Sequence, residues 1–194
     1  MVQKNDSRLT ERDDACSQVR RRFLIGVTGA LAGTLVAPPV SALAKKMDHR
    51  ALSFQNTHTN ETLDVVYYKR GHYRSAALQQ INHHLRDHRT GDVHQIDPRL
   101  LDILYLVTTL TASEHPYQVI SGYRSPKTNA MLRGKSHGVA KRSLHMQGKA
   151  IDIRLPDVDT RTLRNTALAL KQGGVGYYRK SNFVHLDTGR VRHW

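Results

Sequence analysis

Cysteine is nearly missing from this 194-residue chain: Cys16 stands alone. One thiol forms no intramolecular disulfide, so a disulfide scaffold and any multi-cysteine zinc or iron–sulfur site are excluded. A metal, if bound, must be held by imidazole and carboxylate. Acidic residues are also scarce, 16 against 30 Lys and Arg, which leaves a net charge of +14 and points to a polyanionic partner. Long apolar runs are lacking too. The only sustained one, Phe23 to Val36, spans 14 residues, short of the ~20 needed to cross a bilayer, and Gly and Thr dilute it. No internal repeat and no low-complexity segment is present. An apolar fraction of 39% is ordinary for a globular chain.

That short run belongs to an address. Arg20-Arg21-Arg22 precedes it, Pro38 and Pro39 stop it, and Ala42-Leu43-Ala44 supplies small residues for cleavage. Basic, apolar and small-residue regions in this order make a signal peptide over residues 1–44. The paired arginines before Phe23-Leu24 resemble a twin-arginine export signal. Cys16 lies ahead of the apolar run and so leaves with the leader, which excludes a lipoprotein anchor. Residues 45–194 then form one domain carrying a net charge of +12 and all 12 His. A domain of that size buries about 70% of its unfolded surface, enough for a core without staples. Export removes most of the case for nucleic acid, and the short apolar run argues against stable membrane insertion. It leaves the bacterial wall as the anionic polymer to which a basic surface is drawn, with a monomer expected in the periplasm or envelope.

Periodicity predicts strands at Ala51–Gln55 and Thr62–Tyr68 around a turn, and an amphipathic helix over residues 75–88. Asp97-Pro98 opens a second helix, apolar around most of its girth and therefore central. A strand at Tyr117–Ile120, a short helix from Pro126 to Arg133, and a basic loop from Gly134 to Arg142 follow. Then come a strand at Lys149–Arg154, a helix at Thr160–Lys171, and a hairpin of Gly174–Tyr178 with Asn182–Asp187. Helices gather early and strands late, which favours an α+β fold: a small antiparallel sheet packed against several helices.

Two of these strands carry the chemistry. Alternation puts Ile151 and Ile153 on one face and Asp152 on the other; it also sets Val184 and Leu186 opposite Phe183, His185 and Asp187. With the aliphatic faces turned to the core, Asp152, His185 and Asp187 share the opposite surface. His145 lies seven residues before Asp152, across the Gly148 turn, and can fold back over the strand. Two His and one Asp form an N/O ligand set suited to zinc with one position open for water. Spacing alone leaves a plainer reading open, since strand carboxylates are usually solvated and 12 His bring some His/Asp proximity by chance.

Ser143-Leu144-His145-Met146-Gln147-Gly148-Lys149-Ala150-Ile151-Asp152 fills the S-x-H-x-x-G-x-A-x-D pattern of the zinc D-Ala-D-Ala peptidases, and Ser121-Gly122-Tyr123-Arg124 resembles their upstream segment. The tail, from Gly173 through Phe183-Val184-His185-Leu186-Asp187 to His193-Trp194, is similar to that family's branch of exported murein endopeptidases. The likeness covers roughly residues 50–194. It implies a hedgehog-like fold with the metal site on its sheet, Zn2+ held by His145, Asp152 and His185, and Arg124 gripping the substrate or its oxyanion. The implied activity is a metallopeptidase acting on peptidoglycan stem peptides and cross-links. One departure stands out: many relatives place an acidic general base three positions before the last His ligand, and here that position is Asn182. An amide accepts no proton at neutral pH, so Asp187, on the ligand face, is the expected replacement.

The motifs do not separate an endopeptidase from a D-Ala carboxypeptidase or dipeptidase. Asn182 also favours a catalytically silent wall-binding module, against which Asp187 argues. Tyr177, Tyr178 and Phe183 are read as packing residues, His83-His84 as solvated surface, and His193-Trp194 as a closing clamp without chemistry. His137 is not assigned to the site. Arg133, Lys135, Lys141 and Arg142 either grip anionic wall groups or form a solvated charge cluster.

Overall fold

The structure, a computed structural model, describes residues 49–136 and 138–194. The predicted leader and His137 lie outside them. The chain opens with an antiparallel hairpin, β1 (His49–Asn56) and β2 (Thr62–Lys69), followed by the two-residue β3 (His72–Tyr73). Helices α1 (Ser75–His84) and α2 (Pro98–Thr111) lead to β4 (Tyr117–Ser121), then α3 (Pro126–Lys135), β5 (Ala150–Arg154) and α4 (Thr160–Leu170). Strands β6 (Gly174–Tyr178), β7 (Phe183–Asp187) and β8 (Arg192–His193) close the fold. The sheet has eight strands in the order β3-β2-β1-β4-β5-β7-β6-β8. The α+β class stands, but the sheet is larger than expected and not purely antiparallel, because β1–β4 and β6–β8 are parallel joins.

Helix starts follow local chemistry. The Asp97 carboxylate accepts from Arg99 N at 3.0 Å, Ser125 Oγ from Thr128 N at 3.2 Å, and Asp159 from Arg161 N and Thr162 N at 3.0 Å each. Proline follows the first two caps, its fixed φ matching the first helical position. Leu100, Leu101, Leu104 and Val107 of α2 are fully buried, each burial contributing roughly 1.5–3 kcal/mol. They join one core with the aliphatic face of the sheet, Ile151, Ile153, Val184 and Leu186 included. Among the described residues no helix is long and apolar enough to cross a membrane.

Helix α1 ends at His84, four residues before the end expected at residue 88. Beyond His84 the backbone is engaged elsewhere: Tyr123 N donates to Leu85 O at 2.7 Å, and the buried Asp87 carboxylate accepts from Ser125 N at 2.8 Å and Arg89 N at 2.9 Å. This cross-linking pins residues 122–125 against the segment after α1. His84 also departs from expectation, since it is buried with its ring 5.9 Å from that of Phe54.

Candidate metal centre

The face of the sheet away from the core carries the chemistry. Asp152 on β5 lies directly opposite His185 on β7, which in turn lies opposite Gly176 on β6. His145 reaches this row from a short 3-10 turn, Leu144–Gln147. His185 Nδ1 lies 2.8 Å from Asp152 Oδ1, and His145 Nε2 lies 3.3 Å from that oxygen and 3.2 Å from His185 Nδ1. One ligand atom from each residue therefore falls within 4.8 Å of the others, and all three residues are buried.

The outer ring atoms decide what the inner ones are. His145 Nδ1 faces the carbonyl of Gly122 at 2.8 Å, and a carbonyl only accepts, so that nitrogen carries the proton. His185 Nε2 faces Asp187 Oδ2 at 3.0 Å and carries its proton likewise. Nε2 of His145 and Nδ1 of His185 then present lone pairs toward a carboxylate oxygen. Three acceptors at these distances need a proton or a metal ion between them, and imidazoles fixed by an outer acceptor are how metal-binding histidines are held. A proton is the alternative occupant: burial opposes charge on His185, but Asp152 and Asp187 outweigh it and push the imidazole up to about 9, so at neutral pH a metal ion takes the place of the Nδ1 proton. Burial likewise opposes charge on Asp152, and the two imidazoles still hold it well below the usual carboxylate range.

The backbone that supplies this scaffold is tightly constrained. A Cβ at Gly122 would sit 2.5 Å from Leu85 O, so only glycine lets the carbonyl reach His145. Arg124, two residues on, directs Nη2 toward Asp152 Oδ2 at 3.5 Å and donates to Ser121 Oγ at 3.3 Å. It shares with the three ligands a cleft of about 450 Å³ that is also lined by Arg142, Tyr178, Phe183, Arg192 and Trp194.

Asp187 lies on the ligand face, as alternation predicts, and is buried, with no exposed side-chain surface. Its Oδ1 accepts from Gly174 N at 3.1 Å, Gly189 N at 2.8 Å and Arg192 Nη1 at 3.0 Å; its Oδ2 accepts from Arg192 Nη2 at 2.7 Å and from His185. Burial raises its pKa, yet these donors hold it well below the usual range. A carboxylate so occupied is suited to orienting His185, not to collecting a proton in the cleft. Asn182 is exposed, in a left-handed conformation with φ 51°, and its Oδ1 accepts from Thr160 Oγ1 at 3.2 Å. That side chain is bound to the start of α4 and is not among the residues lining the cleft.

Alternation divides the aromatics. Tyr177 packs against the core as expected, whereas Tyr178 and Phe183 line the cleft, as does Trp194. Of the basic cluster, Arg142 lines the cleft; Arg133, Lys135 and Lys141 are exposed and stand outside its lining. Gly122, Asp87 and Arg192 were not singled out from the sequence. The first acts through its backbone, the second carries no pattern, and Arg192 signals itself only by lying five residues past Asp187.

Comparison with known proteins agrees with this geometry. A family model described as peptidoglycan L,D-endopeptidase MepK matches residues 44–194. The peptidoglycan L,D-endopeptidase MepK of Escherichia coli (strain K12) is 41% identical over 175 residues, covering 90% of this chain and 96% of that protein, and the same values hold for MepK of Shigella flexneri. The probable peptidoglycan L,D-endopeptidase MepK of Haemophilus influenzae is 40% identical over 179 residues, covering 91% of this chain and 96% of its own. No solved structure matches the chain. With a family model spanning the whole described domain and relatives aligned over nearly their full length, the chain belongs to the family of the peptidoglycan L,D-endopeptidase MepK.

Proposed function

We propose that the protein is a zinc-dependent murein endopeptidase that hydrolyses peptide cross-links of peptidoglycan in the bacterial envelope, exported through the twin-arginine route by residues 1–44 and active as a monomer. The observation that carries this reading is the meeting of His145 Nε2, Asp152 Oδ1 and His185 Nδ1 at the base of an open cleft, each imidazole fixed from behind. These three side chains would hold the zinc. When bound, the ion supplies an activated water nucleophile and polarises the scissile carbonyl.

The chain's own residues do the rest. Gly122 O and Asp187 hold the two imidazoles in the tautomers that leave the inner nitrogens free. Asp187 is thereby a positioning residue, and the proton-acceptor role expected of it drops out of the reading. Arg124, beside Asp152, offers its guanidinium to the negative charge that gathers on the carbonyl oxygen as the carbon becomes tetrahedral. Arg142 at the rim adds a cation for stem-peptide carboxylates. The overall reaction breaks the amide C–N bond, joins hydroxyl from water to the carbonyl carbon, and delivers a hydrogen to the departing amine.

The test is metal analysis of the protein together with digestion of purified sacculi, with and without chelator. One zinc per chain and chelator-sensitive release of monomeric muropeptides from cross-linked material are expected. Release of free D-Ala without loss of cross-links would convert the assignment to a carboxypeptidase. Binding to sacculi without chelator-sensitive hydrolysis would leave a silent wall-binding module.

A further inference from the structure

Asp152 has the only carboxylate side chain among the described residues lining the cleft, and it is already engaged by the two imidazoles and Arg124. What the cleft does offer is donors. Tyr178 closes strand β6 on the site-facing side, two residues beyond Gly176, the register partner of His185. Its ring stacks on Phe183 with centroids 4.4 Å apart and 15° between planes. Its hydroxyl oxygen accepts a hydrogen bond from the Trp194 indole N–H at 3.0 Å. An indole only donates, so this contact uses a lone pair of the phenol and leaves the O–H proton directed elsewhere.

The indole that aims the hydroxyl is itself fixed. It lies over Gly176, where a Cβ would come within 2.7 Å of the ring, so this glycine opens the seat for Trp194. Tyr177 N donates to Trp194 O at 3.0 Å, the Arg192 guanidinium stands 5.0 Å from the ring centre, and the His185 ring is 5.2 Å away. Tyr178 and Arg124 both line the cleft. Phenol and guanidinium therefore belong to the same small space beside the ligand cluster.

We propose that the Tyr178 hydroxyl, aimed by Trp194, is a catalytic hydrogen-bond donor that works with Arg124 to stabilise the oxyanion developing on the scissile carbonyl. The proposal rests on the endopeptidase reading and adds to it a residue to which the resemblance assigns no role. As the C–O bond from water forms and the C–N bond breaks, the phenol shares its proton with the oxyanion and keeps it, so no hydrogen is consumed. Removing one such donor typically lowers turnover by about 10²–10³-fold.

The test compares wild type, Tyr178→Phe and Trp194→Phe as zinc-loaded protein, measuring metal content, kcat and KM on cross-linked muropeptides, and the Kd of a phosphinate peptide analogue that mimics the tetrahedral carbon. Tyr178→Phe keeps the ring that stacks on Phe183. It is expected to lose about 10²-fold in kcat and a similar factor in phosphinate affinity, with metal content and KM unchanged. Trp194→Phe, which removes the aiming donor together with part of the ring, is expected to fall between it and wild type. The proposal is overturned if Tyr178→Phe holds kcat and phosphinate affinity within twofold of wild type, or if its loss lies wholly in KM. A wild-type protein that neither cleaves nor binds the phosphinate overturns the endopeptidase reading, and this proposal with it.

Discussion

Replacing Asp187 by Asn separates an orienting carboxylate from a proton-accepting one. The side chain is buried and receives donors on both oxygens: two backbone amides and Arg192 on Oδ1, Arg192 and His185 on Oδ2. An asparagine whose oxygen takes the Oδ1 position turns its NH2 toward Arg192 Nη2 and His185 Nε2, both donors. The imidazole relieves this clash by moving its proton to Nδ1, the atom needed for the metal. Loss of such an outer partner typically weakens metal affinity or activity about 10–100-fold. Breaking a buried ion pair costs about 3–5 kcal/mol, and the Arg192 side chain is 32% exposed, so a figure near 3 kcal/mol applies. In a domain of this size that lowers Tm by roughly 6–12 °C. The assays are chelator competition for zinc, thermal melting, and turnover at saturating zinc, where most of the lost activity should return. If metal affinity is unchanged while turnover at saturating zinc falls about 10²–10⁴-fold, Asp187 is a general base and the orienting role is refuted.

Three further perturbations follow from the same geometry. His145→Ala, His185→Ala and Asp152→Asn should each abolish stoichiometric zinc binding and hydrolysis together, read by metal analysis and sacculus digestion. Gly122→Ala drives a Cβ to 2.5 Å from Leu85 O; a loss of about 1–3 kcal/mol in denaturant melts should accompany lower zinc affinity, because the carbonyl that fixes His145 moves. Burial raises the pKa of Asp87, yet hydrogen bonds from Thr128, Ser125 and Arg89 lower it further, to about 2 against an ordinary 3.8. The sign follows from a depressed folded-state value: the stabilisation is complete above pH 4 and disappears as pH falls toward 2, amounting to about 2 kcal/mol. Asp87→Asn should flatten that part of the stability–pH curve, and a curve of unchanged slope would contradict the assignment.

The legible parts of the molecule are those set by local rules. Strand alternation is a property of the backbone itself, so Lys149–Arg154 and Asn182–Asp187 announced which residues share a face before any tertiary contact was known. Capping chemistry did the same for Asp97-Pro98. Tertiary bonding was not legible. The early end of α1 arises because Tyr123 N and Ser125 N, nearly 40 residues on, claim Leu85 O and Asp87. The parallel join of β1 to β4 pairs Phe54 with Tyr117, a contact no local period encodes. Gly122 contributes a carbonyl, and backbone groups are the same at every position, so nothing in its identity marks it as a histidine's partner.

Asp187 shows where face assignment stops being an argument about access. Alternation places it beside His185, but whether a carboxylate there meets substrate or structure depends on what covers it, and Arg192 does so from outside the strand. The same holds for each side chain proposed to bind the metal: one atom faces the cleft and another is committed to a partner outside the cluster. His145 answers to Gly122, His185 to Asp187, and Asp152 to Arg124. Those partners orient the two imidazoles and the carboxylate toward one point. A centre built this way is sensitive at Gly122, where a Cβ would meet Leu85 O at 2.5 Å, although no side chain there marks the position.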